Sequence, residues 1–557
     1  MEQLSAMDAS FLYFETVNAP MHIGSVAIYD QSTVEGGILG FKEILKNYEA
    51  RLHMARSFRQ RIVRVPMSLD HPYWLEDPDF DLEYHVRHIA LPKPGDWRQL
   101  CIQVARLHAR AMDTSRPLWE FTVIEGLDNV EGLPKGSFAV VAKVHHAAID
   151  GVSGAEMTAA IHDLEPDAVP TPPEKPWLPE RQPTAVELLS RTSVNNVRQP
   201  FKLARVVAES VPALARLGIG LSAGKLKRAG TVPRTRFNGK VSPHRVFDGR
   251  SFKLSDIRAI KNAVEGATVN DAIIAIIGGA LHKYLSAKNE LPKDSLIAMA
   301  PISVRPKNQQ KAAGNQVSAM ALAVRSDIAD PLERLVAVFE ATTASKEMTN
   351  AVGASTLTDY SQFIPSTVAG LAARLYTNLG LANRITPFFN TVITNVPGPQ
   401  VPLYMTGARL VTQFGLGPIL DGMGIIHPIF SYCGEITVSF TSCREMMPDP
   451  DFYAQCIQES FDEMVAATKG QHVKTGTAAR AGIARDAVPP AEVAAAEAAA
   501  LKEKLAQKAP KKAATPKRKS ASKSNTRTPT KAAAKKTKPA DLSAMGESNV
   551  TRIEAAE

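Results

Sequence analysis

The chain has 557 residues, enough for two domains, and 45% of them are hydrophobic, a proportion usual for globular proteins. Its net charge of +9 is unevenly distributed. Residues 501–540 contain 14 lysines and arginines and one acid, Glu503, a net charge of +13 that leaves −4 for the rest of the chain. We therefore expect no nucleic-acid binding by the folded part. The basic tail could bind nucleic acid or anionic lipid without sequence preference.

Cysteine usage and hydropathy exclude several other classes of protein. Four cysteines are scattered along the chain with no CxxC pair, which argues against a disulfide framework or a thiolate zinc site. The longest apolar run, residues 272–281, has ten residues, whereas a membrane-spanning helix requires about 20. Residues 1–14 lack a basic stretch followed by an apolar core, so we expect no signal peptide and a cytoplasmic location.

The first part of the chain, residues 1–170, is predicted to be an α/β domain. Apolar residues at helical spacing predict helices over 41–48 and 97–112. Runs of β-branched and other apolar residues predict strands over 122–124 and 138–144. This alternation favours helices packed on a sheet.

The middle of the chain, residues 171–240, is predicted to combine a linker with a basic amphipathic segment. Prolines crowd together around residues 167–183, a composition typical of linkers. Apolar and basic residues then interleave at near-helical spacing over 201–228. Such a segment can lie in an anionic lipid interface, or it can pack its apolar face on the folded body.

A second α/β domain is predicted over residues 241–470. Its strongest helix is 269–284, opened by Asn270 and Asp271, which are both good cap residues. Its predicted strands are 295–299, 391–394 and 436–441. The remaining residues, 471–557, are rich in alanine, lysine and proline, which predicts a disordered tail with one isolated helix.

The most informative motif is His145-His146-Ala147-Ala148-Ile149-Asp150-Gly151. A buried strand leads into it and a run of small residues follows. A neutral imidazole at the end of a rigid strand is well placed to act as a general base. Because adjacent strand residues point to opposite sides, one histidine should face the reaction space and the other should be packed. Gly151 allows the turn. Asp150 could pair with a basic residue or contact a histidine.

The same residues could instead have a structural or metal-binding role. Either histidine could be an ordinary core residue. His145, His146 and Asp150 could bind a metal, but adjacent histidines on a strand cannot easily reach one ion and no further cluster completes a shell, so we predict no metal site. Ser153 does not lie in a G-x-S-x-G elbow, and the chain has no phosphate-binding or dinucleotide fingerprint.

The motif HHxxxDG resembles the active-site motif of the acyl-CoA-dependent acyltransferase superfamily, which includes chloramphenicol acetyltransferase and peptide-synthetase condensation domains. Within it, the chain resembles the bacterial wax ester synthase/diacylglycerol acyltransferase family. Five further motifs, typical of that family, occur in its order over about residues 1–470. These motifs are Leu4–Phe11, Arg116–Glu120, Asn270–Asp271, Ser303–Pro306 and Asn395–Pro399.

The resemblance implies two chloramphenicol-acetyltransferase-like α/β domains with an active-site channel between them. It also implies transfer of a long-chain acyl group from acyl-CoA to diacylglycerol or a long-chain alcohol, with no permanently bound cofactor and no acyl-enzyme. His146 would be the general base and His145 would support it. Asp150 would hold the loop through an arginine, for which Arg305 is a weak candidate, and Gly151 would form the turn.

Three further residues are expected to contact substrate in this interpretation. Trp119 could form a wall of the acyl channel or simply pack in the core. Asn270 could lie near the active site as well as cap its helix, and Asn395 could donate to a developing oxyanion or only form a turn. The apolar substrates imply peripheral contact with the inner membrane or with lipid droplets. The alternatives are a non-catalytic lipid-binding or scaffold protein with the same fold, and an acyltransferase with a different acceptor.

Overall fold

The computed structural model of the chain describes residues 1–149, 157–170, 173, 177, 179–193, 195, 232–303, 317–352, 379 and 381–475. All of them belong to one compact unit. Its helices are α1 (Ala6–Phe14), α2 (Phe41–Arg51), α3 (Leu82–His85), α4 (Trp97–Ala109), α5 (Leu254–Asn262), α6 (Val269–Ala287), α7 (Pro331–Val352) and α8 (Pro450–Thr468). Residues 157–161 and 185–193 are also helical.

The strands fall into one small and two large sheets. Those of the first half are β1 (Glu2–Gln3), β2 (His22–Asp30), β3 (Gln60–Val63), β4 (Tyr73–Glu76), β5 (Val86–Ala90), β6 (Trp119–Leu127) and β7 (Ser137–His145). Those of the second half are β8 (Arg245–Lys253), β9 (Ile297–Ser303), β10 (Val317–Ala323), β11 (Thr391–Pro397), β12 (Tyr404–Met405), β13 (Ala408–Leu416), β14 (Ile425–Tyr432) and β15 (Glu435–Cys443).

The first large sheet has the strand order β12-β13-β2-β7-β6-β5. Its neighbouring strands are antiparallel, except β5 and β6, which are parallel. β7 lies inside this sheet and is buried on both faces. A strand covered on both faces requires a nearly continuous apolar run, which its sequence supplies. The strands predicted at 122–124 and 138–144 are therefore confirmed as parts of β6 and β7.

The second large sheet has the order β10-β9-β11-β14-β15-β8. The helix α6 lies in the hydrophobic core beside this sheet, where it packs with the neighbouring helices. Its burial explains why apolar residues recur on every side of α6. The predicted cap is wrong by two residues: Thr268 is the N-cap, and it accepts a hydrogen bond from the backbone of Asp271. The Asp271 carboxylate in turn accepts from the backbone N–H of Thr268, which completes a capping box.

Two strands from the second half of the chain, β12 and β13, belong to the first large sheet. β13 pairs with β2 of the first sheet although it comes from the second half of the chain. It also packs against β15, where the Thr437 hydroxyl donates to the Gln413 carbonyl at 2.7 Å. The predicted division between 1–170 and 241–470 therefore separates segments of sequence rather than the two sheets. The ranges of the four predicted segments stay predictions.

The small sheet, of order β1-β4-β3, is covered by chain from the predicted middle segment, residues 171–240. Leu188, in the helical residues 185–193, packs with Val65 and Tyr73. The Trp177 indole donates to a carboxylate oxygen of Glu76 at 2.8 Å. The predicted basic amphipathic segment, residues 201–228, lies outside the described residues. Within the described ranges, no helix has the length and apolar character needed to cross a bilayer.

Replacing Gly278 by alanine tests the packing of α6. A Cβ atom there would lie 2.0 Å from the backbone oxygen of Val324, which directly follows β10 and whose N–H donates to the carbonyl of Leu296. We expect Gly278→Ala to lower the free energy of unfolding by about 1–3 kcal/mol, although alanine favours helices by about 1 kcal/mol. Urea unfolding measures this change.

Gly239→Ala is the matched control, because its added Cβ would meet its nearest neighbours at 3.5 Å, an ordinary contact. Its free energy of unfolding should stay within about 0.5 kcal/mol of the parent chain. Equal stability of the two variants would contradict the packing described for α6.

Candidate active site

Both histidines of the motif are fixed by the backbone where β7 ends. The backbone N–H of His145 donates to the carbonyl of Leu118 at 2.9 Å, and that of His146 donates to the carbonyl of Met21 at 2.8 Å. The chain then turns through a short 3-10 helix, His146–Ala148. The two imidazoles consequently lie at a rigid position but in different surroundings.

His145 is the packed histidine, with a fully buried side chain. Its Nδ1 accepts a hydrogen bond from the backbone N–H of Ala147 at 3.1 Å. A neutral imidazole that accepts at Nδ1 carries its proton on Nε2. That Nε2 lies 3.6 Å from a carboxylate oxygen of Glu15, a residue that the sequence interpretation missed.

His146 is the half-buried histidine and lies under an aromatic ring. Its imidazole stacks on Phe11, with ring centroids 3.9 Å apart and planes inclined by 12°. Burial lowers the pKa of His146 to about 4, and a hydrogen bond with its own backbone opposes this shift only in part. The side chain is therefore neutral near pH 7, as a proton acceptor must be.

Phe11 in α1 and Glu15, which caps the end of α1, are the two neighbours of the histidine pair. Ser5 caps the start of this helix, accepting from the backbone of Asp8 at 3.1 Å. Its apolar side packs on the 3-10 turn and on the residue preceding β6, in a small cluster that comprises Leu4, Ala9, Leu12, Ile62, Leu118 and Ala147. The N-terminal motif Leu4–Phe11 thus builds and docks the helix that covers the turn.

A group of buried polar side chains lies beside His145. His22 faces it across β2 and β7, and the His22 Nε2 donates to the backbone carbonyl of His108 at 2.6 Å. Burial lowers the pKa of His22, and it lowers that of His108 to about 3. The Lys143 ammonium is 3.0 Å from the carboxylate of Glu120. These imidazoles are neutral, and the lysine charge is balanced by that carboxylate.

A second candidate region lies in the other half of the fold, where Asn270 and Asn395 meet. The Asn395 amide donates to the Asn270 side-chain oxygen at 2.5 Å. Both residues border a cavity of about 50 Å³. Its remaining lining is mostly apolar: Asp271, Ile274, Ala300, Pro301, Met320, Leu322, Thr342, Lys346, Ile393 and Ile429. Such a cavity suits methylene groups, with amides at one side for a polar atom.

Asp271, next to Asn270, is occupied by structural hydrogen bonds. One carboxylate oxygen accepts from the backbone and hydroxyl of Thr268, both at 2.7 Å. The other accepts from the Thr342 hydroxyl at 2.6 Å. Asp271 therefore holds the start of α6, while Asn270 presents its side chain to Asn395. In the part of the chain that the structure describes, no group of three or more histidine, cysteine, aspartate or glutamate residues is placed to hold a metal ion.

Comparison with known proteins identifies the family. Its catalytic-domain model, the wax ester synthase/diacylglycerol acyltransferase catalytic domain, matches residues 4–273, and the WS/DGAT C-terminal domain matches 313–465. A Mycobacterium tuberculosis protein provisionally named diacylglycerol O-acyltransferase is 33% identical and covers 85% of this chain and 91% of its own. The chain belongs to the wax ester synthase/diacylglycerol acyltransferase family.

Two further relatives of this acyltransferase agree. A Mycobacterium bovis protein, with a similar provisional name, is 31% identical over 80% of this chain and 95% of its own. The solved wax ester synthase/diacylglycerol acyltransferase of Marinobacter aquaeolei VT8 is 26% identical, covers 84% of this chain and 100% of its own, and has a TM-score of 0.58. The predicted family, the acyltransferase activity and the α/β fold with two chloramphenicol-acetyltransferase-like domains are thereby confirmed.

The roles of the other predicted site residues of this acyltransferase stay predictions. Asp150 and Gly151 lie outside the described residues, as does Arg305, so their roles stay predictions. Trp119 is 1% exposed, and its indole donates to a backbone carbonyl of the core. This is the environment of a packing residue, and its contact with substrate also stays a prediction.

The buried histidines make the stability of this acyltransferase depend on pH, and His427 allows a test. Burial lowers the pKa of His427 from 6.5 to about 3. As the pH falls through this window the unfolded chain binds a proton that the folded chain does not, so the free energy of unfolding falls, by about 1.4 kcal/mol per pH unit. His427→Gln should reduce this slope in urea unfolding between about pH 6 and pH 5.

His244→Gln is the control, because the side chain of His244 is exposed. Its slope should equal that of the parent chain. A parental slope in His427→Gln as well would show that His427 does not remain neutral in the folded protein.

Proposed function

We propose that this protein transfers a long-chain acyl group from acyl-CoA to the hydroxyl of diacylglycerol, giving triacylglycerol, or to that of a long-chain alcohol, giving a wax ester. The observation that carries the proposal is a neutral imidazole, His146, fixed at the end of β7 within the family's HHxxxDG motif. The names of the mycobacterial relatives support diacylglycerol as an acceptor. The name of the Marinobacter protein supports both products.

In the proposed reaction His146 is the general base. Its Nδ1 is buried, so we assign the proton transfer to Nε2. Nε2 accepts the proton of the acceptor hydroxyl as the oxygen attacks the thioester carbonyl. An ester C–O bond forms, the C–S bond breaks, and the proton passes from His146 to the departing sulfur of coenzyme A. The reaction requires no acyl-enzyme and no bound cofactor.

We assign supporting roles to the other predicted residues. His145 holds the turn on which His146 lies, and Asp150 and Gly151 shape the loop that follows. Asn270 and Asn395 would contact the substrate at the small apolar cavity, where their amides can donate to an oxygen while the walls accept part of an acyl chain. Trp119 would support the acyl channel from the core.

We further propose that the enzyme works at the cytoplasmic face of the inner membrane or at a lipid droplet. Its substrates are apolar, so they must be taken from such a surface. The described residues beside the histidine pair include two exposed apolar side chains, Phe14 and Val17, at and just beyond the end of α1. The basic tail would add attraction to anionic lipid.

His146→Ala tests the function. Incubation of the parent chain with labelled oleoyl-CoA and either diacylglycerol or hexadecanol should give triacylglycerol or wax ester. The variant should lose at least about 100-fold in rate, because general-base catalysis contributes about 10²- to 10⁴-fold. An unchanged circular dichroism melting curve would show that the variant is folded.

The exposed residue Glu49 supplies the control variant, Glu49→Gln, which should keep the parental rate. No ester from the parent chain with either acceptor would favour a non-catalytic lipid-binding protein or a different acceptor. Parental turnover by His146→Ala would reject the mechanism.

The pH dependence of the rate tests the protonation state of the base. Burial lowers the pKa of His146 to about 4, so the base stays unprotonated down to that pH. The acidic limb of kcat/KM should therefore have an apparent pKa well below 6.5, the ordinary value for histidine. Initial rates measured over about pH 4.5–8 should fall only near the acidic end of this range, and a midpoint at or above 6.5 would contradict the assignment.

A further inference from the structure

We propose that Glu15 is a positioning residue for acyl transfer, which acts on His146 through His145. This inference rests on the proposed function. It assigns a role to a residue at the end of α1, outside the HHxxxDG motif. Glu15 is the C-cap of α1 and follows Phe11 by four residues, so both side chains project from the end of the helix toward the histidine pair. Phe11 covers His146, and Glu15 faces His145.

Both carboxylate oxygens of Glu15 face the base of the active-site turn. Oε1 accepts from the backbone N–H of Met21 at 3.3 Å. Oε2 lies 3.6 Å from the Nε2 of His145. The carbonyl of the same Met21 accepts the backbone N–H of His146. One carboxylate therefore contacts the strand end that holds one histidine and the ring of the other.

The requirement for an acceptor at this place follows from burial. The side chain of His145 is fully buried, and its Nδ1 already accepts from the backbone of Ala147. Its proton is therefore on Nε2, and a buried N–H without an acceptor costs about 1–3 kcal/mol. The Glu15 carboxylate is the acceptor group that faces this N–H; at 3.6 Å the contact is longer than a hydrogen bond and stabilises the N–H by electrostatic attraction. Lys143, the nearby buried cation, is paired with Glu120, so it does not neutralise Glu15.

The consequence for His146 is geometric. If the proton of His145 moved to Nδ1, two N–H groups would face each other at His145 and Ala147, and the 3-10 turn would have to shift. His146 begins that turn. A displacement of about 1 Å can cost about 100-fold in rate. Glu15 prevents this shift by making the other tautomer of His145 the favoured one.

Glu15→Gln keeps the shape of the side chain but cannot accept at both ends. An amide oxygen can serve one of the two N–H donors, and the NH₂ group then opposes the other. We expect kcat to fall about 10- to 100-fold. The KM for oleoyl-CoA should stay within about twofold, because Glu15 is expected to act on orientation of the base rather than on binding.

Glu15→Asp is the conservative variant, since it keeps two accepting oxygens and the charge. It should recover a measurable part of kcat relative to Glu15→Gln. Glu49→Gln, on the exposed face of α2, is the control and should have parental kcat and KM. All variants are compared as full chains, with melting curves recorded for each.

A positioning role predicts a lower kcat at an unchanged melting temperature, with the acidic limb of the pH profile unmoved. A parental kcat in Glu15→Gln would overturn the inference. So would a loss that appears only with a lower melting temperature and disappears when the assay is cooled. If the parent chain makes no ester, the proposed function itself has failed; if the parent is active and Glu15→Gln matches it, only this inference has failed.

A last variant tests whether Glu15 acts through His145. In a His145→Asn background the carboxylate no longer has an imidazole to orient. Adding Glu15→Gln should then lower kcat by less than it does in the parent chain. Equal losses in the two backgrounds would overturn the proposed route, and the kcat, KM and melting comparison of Glu15→Gln stands by itself if His145→Asn does not fold.

Discussion

The rest of the site depends on how β7 ends. Its last residue donates its N–H to the carbonyl of Leu118, which precedes β6, and the next residue donates to Met21, which precedes β2. The end of the strand is thus attached to both of its neighbours. Because β7 lies between β2 and β6, these bonds connect the turn to the interior of the sheet. The two histidines are adjacent at the end of this strand, yet their side chains have different surroundings. Both are held by backbone hydrogen bonds of the sheet.

Burial of neutral imidazoles lowers the stability of the protein in acid, and it also keeps the catalytic base unprotonated. It lowers the pKa values of His22, His108 and His146, so the protein loses stability whenever acid protonates the unfolded chain. The same desolvation keeps His146 able to accept a proton well below the pH at which an exposed histidine becomes charged. A base with a low pKa is a weaker one, so the site exchanges some basicity for a protonation state that does not vary near neutral pH.

The sequence predicts what its periodicity encodes. The strands β6 and β7 and the long apolar helix α6 are evident from runs of apolar residues, and the motif at His146 identifies the family. The cap of α6 is a different case, because Asn270, Asp271 and Thr268 are all plausible caps by composition and only geometry selects Thr268. The pairing of β13 with β2 cannot be read from either strand, since both are apolar strands with no mark of their partner.

Glu15 shows the same limit at the scale of one side chain. A lone carboxylate just beyond a short helix has the pattern of a solvated surface charge, and nothing in its spacing from His145 indicates contact. Only the docking of α1 on the turn brings the two together. This docking gives the N-terminal motif a structural role. Its small and apolar residues pack α1 against Ala147, and this packing determines where Phe11 and Glu15 lie relative to the two histidines. The active site is therefore built from two segments that are distant in sequence. A change in how α1 packs would alter the surroundings of His146 without any substitution at His146 itself.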